Sequence, residues 1–208
     1  MAYNLKFEKD IGDTIKKYPF LKIIRDDKES YLKGILDIND NKKYLGSYSI
    51  EIKGSRKYPY EFPITYEVGG DIPAEPDFHK YNDNSLCIDI RASEILKCHS
   101  GMTVSTYIET ELIPYFANQI YRKLTGHYVN EYKHGRDGIR QFYCRLFSTN
   151  DIRLWKKCVQ HAFSHIDKER NELCYCGSGL KYKKCHLQTD EKLILIGKEQ
   201  ILNDLLIL

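Results

Sequence analysis

Phe20-Leu21-Lys22-Ile23-Ile24-Arg25, Tyr31-Leu32-Lys33-Gly34-Ile35-Leu36-Asp37-Ile38 and Tyr44-Leu45-Gly46-Ser47-Tyr48-Ser49-Ile50-Glu51-Ile52 are three consecutive runs rich in β-branched and aromatic residues. Such side chains suit a pleated, half-buried surface, and each run has the length of a strand. The polar clusters Asp26-Asp27-Lys28 and Asn39-Asp40-Asn41 separate them, and short polar side chains of this kind close turns by bonding their own backbone. The pattern predicts an antiparallel meander. A fourth strand, Ile64–Val68, follows the segment Tyr58-Pro59-Tyr60-Glu61-Phe62-Pro63. Its two prolines lack the N–H that ladder pairing needs, so the segment is expected to cross in extended form.

On the N-terminal side, residues 4–17 place Leu5, Ile11 and Ile15 near one helical face, with Gly12 weakening the helix through its backbone entropy. On the C-terminal side, Gly69 to Leu86 is dense in Gly, Pro, Asp and Asn and has no period, which predicts a long ordered loop of the kind that usually carries function. Helical periodicity returns at Val104–Leu124 and stops at Gly126, with Pro114 expected to kink or divide it. A helix is predicted at Asp137–Phe147, capped by Asp137, with Ile139, Phe142, Tyr143, Leu146 and Phe147 on one stripe. Another at Asp151–His165 carries Ile152, Trp155, Val159 and Phe163. The tail Asp190–Leu208 reads as one last helix whose Leu and Ile residues must pack on the body or on a partner. No internal repeat or low-complexity segment interrupts the chain.

Composition places the chain among globular proteins: 42% of its 208 residues are hydrophobic and 29% are charged, with both signs interspersed. A net charge of +3 is too small to argue for nucleic acid, which needs clustered Lys and Arg. No apolar run approaches the roughly 20 residues of a membrane span, and Met1–Asp10 lacks the apolar core of a secretion signal. The expected location is the cytoplasm. Seven cysteines, some in Cys-x-Cys spacing or beside His, suit metal binding or thiol chemistry better than a secreted disulfide framework.

Cys174-Tyr175-Cys176-Gly177-Ser178-Gly179-Leu180-Lys181-Tyr182-Lys183-Lys184-Cys185-His186 offers three thiols and an imidazole. Cys174, Cys176, Cys185 and His186 can complete a tetrahedral zinc shell, leaving no open position for a catalytic water, so a structural Zn2+ is expected. Gly177 and Gly179 let the chain turn tightly between the ligand pairs, and the neighbouring lysines favour thiolates. The segment closely resembles the SEC-C motif, Cys-x-Cys-Gly-Ser-Gly followed by Lys-Tyr-Lys-Lys-Cys and then Cys or His. That motif occurs as a tail on many unrelated proteins, so it implies a folding or docking module and names no reaction.

Between the loop and the later helices stands Asn84-Ser85-Leu86-Cys87-Ile88-Asp89-Ile90. Taken with the helix, the meander and the Tyr58-Pro59…Pro63 crossing, this segment resembles the ubiquitin-conjugating enzymes. In that family a Tyr-Pro-x-x-Pro-Pro crossing and a His-Pro-Asn loop precede a cysteine in a Leu-Cys-Leu-Asp context. Here His79-Lys80-Tyr81-Asn82 replaces His-Pro-Asn and lies closer to the cysteine. The resemblance implies acyl transfer through a thioester on Cys87, since a cysteine thiolate both attacks and leaves readily. His79, Asn82 and Asn84 precede it on the same loop as candidates to stabilise the oxyanion, with His79 also a candidate base or a loop brace. For Cys87 the plain alternative is a buried strand cysteine.

Gly69-Gly70-Asp71-Ile72-Pro73, Gly126-His127-Tyr128, Glu131-Tyr132-Lys133-His134-Gly135 and Gly138-Ile139 are similar to a bacterial branch of the same superfamily. Members of that branch occur in anti-phage operons of the CBASS type, where a conjugating enzyme modifies the nucleotidyltransferase that makes the cyclic-nucleotide signal. The resemblance implies such a partner, or another carrier protein with a reactive C-terminus. The chain has no adenylate-forming or nucleotide-binding fingerprint, so the acyl group is expected to be activated by a separate enzyme or to be presented already activated. His127 and His134 are read as structural, with a role in shaping the acceptor side of the site as the alternative, and Cys98, Cys144 and Cys158 as core thiols.

The expected architecture is therefore α+β. Residues 1–148 form a ubiquitin-conjugating-like domain of N-terminal helix, four-stranded antiparallel meander and C-terminal helices, and residues 149–208 a helical extension holding the zinc motif at 174–186. Two other functions compete. One is a catalytically inactive adaptor that keeps the conjugating fold as a binding surface and docks through the zinc tail. The other is a zinc-dependent nucleic-acid binder, supported by Lys181–Lys184 with Tyr175 and Tyr182.

Overall fold

The computed structural model describes residues 5–27, 29–40, 43–129, 133, 135–164 and 169–208. His134, Glu131, Tyr132 and the far end of the helix expected to reach His165 lie outside them. The chain divides into two compact units, Met1–Asp89 with Lys97–Glu131, and Ile90–Leu96 with Tyr132–Leu208.

In the first unit, helix α1 (Leu5–Lys17) precedes strands β1 (Leu21–Arg25), β2 (Ser30–Asp40), β3 (Lys43–Lys53) and β4 (Ile64–Glu67). The strands pair antiparallel in the order β1-β2-β3-β4, the meander read from the β-branched and aromatic runs. On β2, Leu32, Leu36 and Ile38 are buried at even spacing, and on β3 Tyr48, Ile50 and Ile52 face the same core. Each buried aliphatic side chain contributes on the order of 1.5–3 kcal/mol relative to exposure. Helix α1 buries Phe7, Ile11 and Thr14 against this face. Leu5, expected on the buried stripe, is 80% exposed instead, because the stripe runs through Phe7.

The helical stretch expected at Val104–Leu124 is present in three pieces: α3 (Val104–Tyr107), a π-helical turn (Ile108–Leu112) and α4 (Ile113–Thr125). Pro114 has no N–H for a carbonyl one turn back and its ring crowds that turn; the wider turn just ahead of it absorbs the fault without ending the helix. Gly126, in the left-handed region at φ 84°, stops α4 as the sequence indicated. Helix α2 (Arg91–Cys98) was not anticipated.

The second unit contains α5 (Gly135–Phe147), α6 (Ile152–Ala162), α7 (Leu187–Ile196) and α8 (Lys198–Ile207). Its core groups Tyr143, Phe147, Trp155, Cys158, Leu193, Ile196 and Ile201. Helix α5, placed with the first domain on sequence, belongs here: the Phe147 ring stacks on Trp155 at 5.5 Å, and the Tyr143 hydroxyl donates to the Asp204 carboxylate at 2.8 Å. Asp137 sits inside the first turn of α5 rather than capping it. Asp151 does cap α6, accepting from the Arg153 N–H at 2.9 Å. The tail is two helices, not one, because Gly197 takes φ 88° and ψ 144°, a conformation outside any helix. Among the described residues no helix is long and apolar enough to cross a membrane.

Candidate functional site

Two sites stand out, one in each unit. In the first, the loop after β4 folds back on itself so that Lys80 and Leu86 form an isolated antiparallel bridge and Tyr66 bridges Ser85. The Tyr81 N–H bonds the Ser85 carbonyl at 2.9 Å, and the Cys87 N–H bonds the His79 carbonyl at 2.9 Å. Asp83 tightens the tip by accepting from the N–H and hydroxyl of Ser85, at 2.9 and 2.6 Å. Cys87 follows this hairpin outside any strand, and its side chain is only partly buried. It is therefore not the buried strand thiol of the plain alternative.

The hairpin is anchored from inside. Lys80 turns inward, its Nζ 2.5 Å from Glu67 Oε2 and 3.0 Å from the Ile72 carbonyl. The other oxygen of Glu67 accepts from the N–H of Gly69 at 2.7 Å and of Asp71 at 3.4 Å. Two buried charges and their remaining hydrogen-bonding capacity are thus satisfied within the loop they organise. From α4, Tyr115 donates to the carbonyls of Phe78 and His79 at 3.2 and 3.0 Å, and Gln119 donates to Phe78 at 2.7 Å. The Arg122 guanidinium lies over the Phe78 ring at 3.7 Å. These contacts hold residues 77–79, where His79 itself adopts a left-handed backbone at φ 53°.

The sequence candidates are distributed unevenly. His79 and Cys87 are joined by the backbone bond above, while the His79 ring packs edge-on against Tyr128 at 5.4 Å. Asn82 and Asn84 are exposed, and Asn84 also has a left-handed backbone at φ 68°. Tyr81, which was not among the candidates, pairs with Ser85 and so is the diagonal neighbour of Cys87 across the hairpin. Interaction with the Cys87 side chain, together with burial and the nearby Asp83 carboxylate, pushes the Tyr81 phenol up to about 12. Tyr81 was visible within His79-Lys80-Tyr81-Asn82 but not singled out; Lys80, Glu67, Tyr115 and Gln119 left no sequence signal. His127 is exposed, with Nδ1 3.2 Å from the Thr125 carbonyl. Cys98 and Cys158 are fully buried and Cys144 packs against the core, as core thiols should.

In the second unit, Gly177 and Gly179 have φ of 79° and 75°, and these left-handed residues fold Cys174–Cys176 back towards Cys185–His186. The ligand atoms of Cys174, Cys176, Cys185 and His186 all lie within 4.8 Å of one another. His186 Nδ1 is 3.3 Å from Cys174 Sγ and 3.1 Å from Cys185 Sγ, and the sulfurs of Cys176 and Cys185 are 3.6 Å apart. With metal bonds of about 2.0–2.3 Å, the edges of a zinc tetrahedron measure roughly 3.3–3.8 Å, so the set fits a structural Zn2+. Burial pushes the Cys174 thiol up to about 12. At Cys176 the same burial is outweighed by hydrogen bonds from the hydroxyl and N–H of Ser178, which bring it down to about 6.

Behind the ligands stands Asp190, buried at 1% exposure on α7. It accepts from the hydroxyls of Tyr175 at 2.9 Å and Tyr182 at 2.7 Å, and faces His161 Nδ1 of α6 at 2.6 Å. The His161 ring stacks on Tyr175 at 3.8 Å. One carboxylate thereby ties the ligand loop to both flanking helices. Sequence reasoning missed this hub, since an acid at the start of an amphipathic tail ordinarily faces solvent.

No curated protein and no solved structure matches the chain. A family model, that of the SEC-C motif, matches residues 170–188. That stretch contains all four ligands and both tyrosines of the Asp190 hub, so the tail of this α+β protein is similar to a SEC-C-type zinc motif.

Proposed function

We propose that this protein is a ubiquitin-conjugating-type acyl-transfer enzyme in which Cys87 carries the C-terminus of a carrier protein as a thioester and passes it to a target amine. The observation that supports this most is Cys87 itself: a partly exposed thiol outside any strand, at the end of a hairpin braced from within, following a helix and a four-stranded meander. A sulfur so placed is accessible for attack, whereas a structural cysteine is buried and inert. The carrier arrives already activated, by a separate activating enzyme. The resemblance to the CBASS branch favours a cyclic-nucleotide-making nucleotidyltransferase as the conjugated protein, in the cytoplasm of a bacterium defending against phage. The zinc tail serves as the docking module.

The test is co-expression of wild type, Cys87→Ala and Cys87→Ser with the neighbouring operon proteins, followed by intact mass under non-reducing conditions. A thiol-labile adduct on wild type, absent from the Ala variant and longer-lived on Ser, is the expected result. Identical masses for all three remove the thioester mechanism.

A second reading, the inactive adaptor, draws on the exposure of Asn82 and Asn84 and on the His79 ring packed against Tyr128. Under that reading, binding of the same partners survives Cys87→Ala undiminished.

A further inference from the structure

In an antiparallel pair, residues on either side of an inward-facing pair project to the opposite face, and diagonal neighbours remain within reach of an aromatic side chain. Lys80 and Leu86 are such an inward pair, at 1% and 9% exposure. Tyr81, opposite Ser85, is diagonal to Cys87 on the outward face, and interaction with the Cys87 side chain raises its phenol. The hydroxyl of Tyr115, on α4, is committed instead to the carbonyls of Phe78 and His79. Tyr81 is 53% exposed, so the pair can be reached by an incoming protein.

We propose that the Tyr81 hydroxyl is a catalytic hydrogen-bond donor to the Cys87 sulfur, stabilising negative charge on it both as it attacks and as it leaves. The proposal deepens the acyl-transfer reading and rests on it. In loading, a lone pair on Sγ forms the C–S bond to the activated carbonyl carbon, and the bond from that carbon to the activating group breaks, its electron pair departing with the group. In discharge, the amine nitrogen forms the C–N bond, the C–S bond breaks, Sγ keeps the electron pair, and the surplus proton on nitrogen passes to solvent. The sulfur is neutral in the resting thioester and gains charge only as the C–S bond opens. A donor aimed at it therefore favours the transition state over the ground state. The phenol is not consumed.

The experiment uses the full-length protein with Tyr81→Phe, which removes the hydroxyl and keeps the ring, and Tyr81→Leu, which removes both. Two rates are read: alkylation of Cys87 by iodoacetamide, followed on its own peptide by mass spectrometry, and discharge of the Cys87 thioester to hydroxylamine. Losing one donor to a charged, half-exposed atom is expected to slow discharge about tenfold. With a Brønsted slope near one half, alkylation is expected to slow about threefold. Phe and Leu should slow both steps equally, with unfolding temperature and zinc content unchanged in Phe. A wild-type alkylation rate in Tyr81→Phe, or a loss confined to Leu, overturns the proposal. Slowed alkylation in a protein whose wild type never forms a thiol-labile adduct upholds the donor and overturns acyl transfer instead.

Discussion

The ammonium of Lys80 and the carboxylate of Glu67 meet at 2.5 Å with both side chains buried. Glu67 ends β4 and Lys80 begins the hairpin that leads to Cys87, so this pair joins the sheet to the candidate site.

Removing one partner should leave the other charged and buried. Lys80→Met or Glu67→Gln alone is expected to cost about 3–5 kcal/mol in denaturant unfolding, while the double variant Lys80→Met with Glu67→Leu recovers much of the loss. Additive losses would show that the two charges do not act as a pair.

The Asp190 hub should govern how firmly the tail holds metal. Asp190→Ala strands the hydroxyls of Tyr175 and Tyr182, each costing about 1–3 kcal/mol when buried without a partner. One equivalent of zinc is expected in wild type, with release to a chelating dye markedly faster in Asp190→Ala although all four ligands remain. Equal release rates would detach Asp190 from the metal site.

Asp204 sets a pH dependence in the second unit. Burial raises its carboxyl above the ordinary range, and hydrogen bonds from Tyr143 and Gln200 offset only part of this. Folding therefore tightens its hold on the proton. The penalty for the buried carboxylate is fully present above the folded value and fades as pH falls towards the unfolded value near ~4. Asp204→Asn is expected to raise the melting temperature over wild type at neutral pH, and the advantage should shrink steadily on acidification. A difference that stays constant between pH 7 and pH 4 contradicts the assignment.

Gly34 tests the packing of β1 on β2. A Cβ there would sit 2.1 Å from the backbone oxygen of Phe20, which also accepts from the Ile35 N–H at 3.2 Å. Gly34→Ala must part the two strands locally and is expected to destabilise by about 1–3 kcal/mol in the same unfolding assay. An unchanged midpoint would mean that β1 can shift freely.

Much of the fold was legible because it depends on neighbours in the chain. The β-branched and aromatic runs Tyr31–Ile38 and Tyr44–Ile52 marked the meander, and the turn clusters set its corners. Pro114 marked a fault in the helix, although the π-helical turn that absorbs it was not readable. Gly197 was overlooked as a break, because one glycine in a Leu-rich tail disturbs the helical period little until its backbone angles are known. The zinc ligands were legible in full, since Cys174, Cys176, Cys185 and His186 sit in a short segment whose glycines dictate the turn.

What surrounds Cys87 was legible only in part. The sequence by itself determined that a cysteine follows a Gly-, Pro- and Asn-rich loop after a four-stranded meander, and that a Cys3His set closes near the C-terminus. Only the tertiary structure decided that Tyr81 lies diagonal to Cys87 across a hairpin, that Lys80 turns inward to Glu67, 13 residues away, that Gln119 braces Phe78 across 41, and that Asp190 binds His161 across 29. Such contacts follow no period in the chain. They form where packed elements bring distant polar groups out of water together, and the cost of burying any of them alone selects its partner.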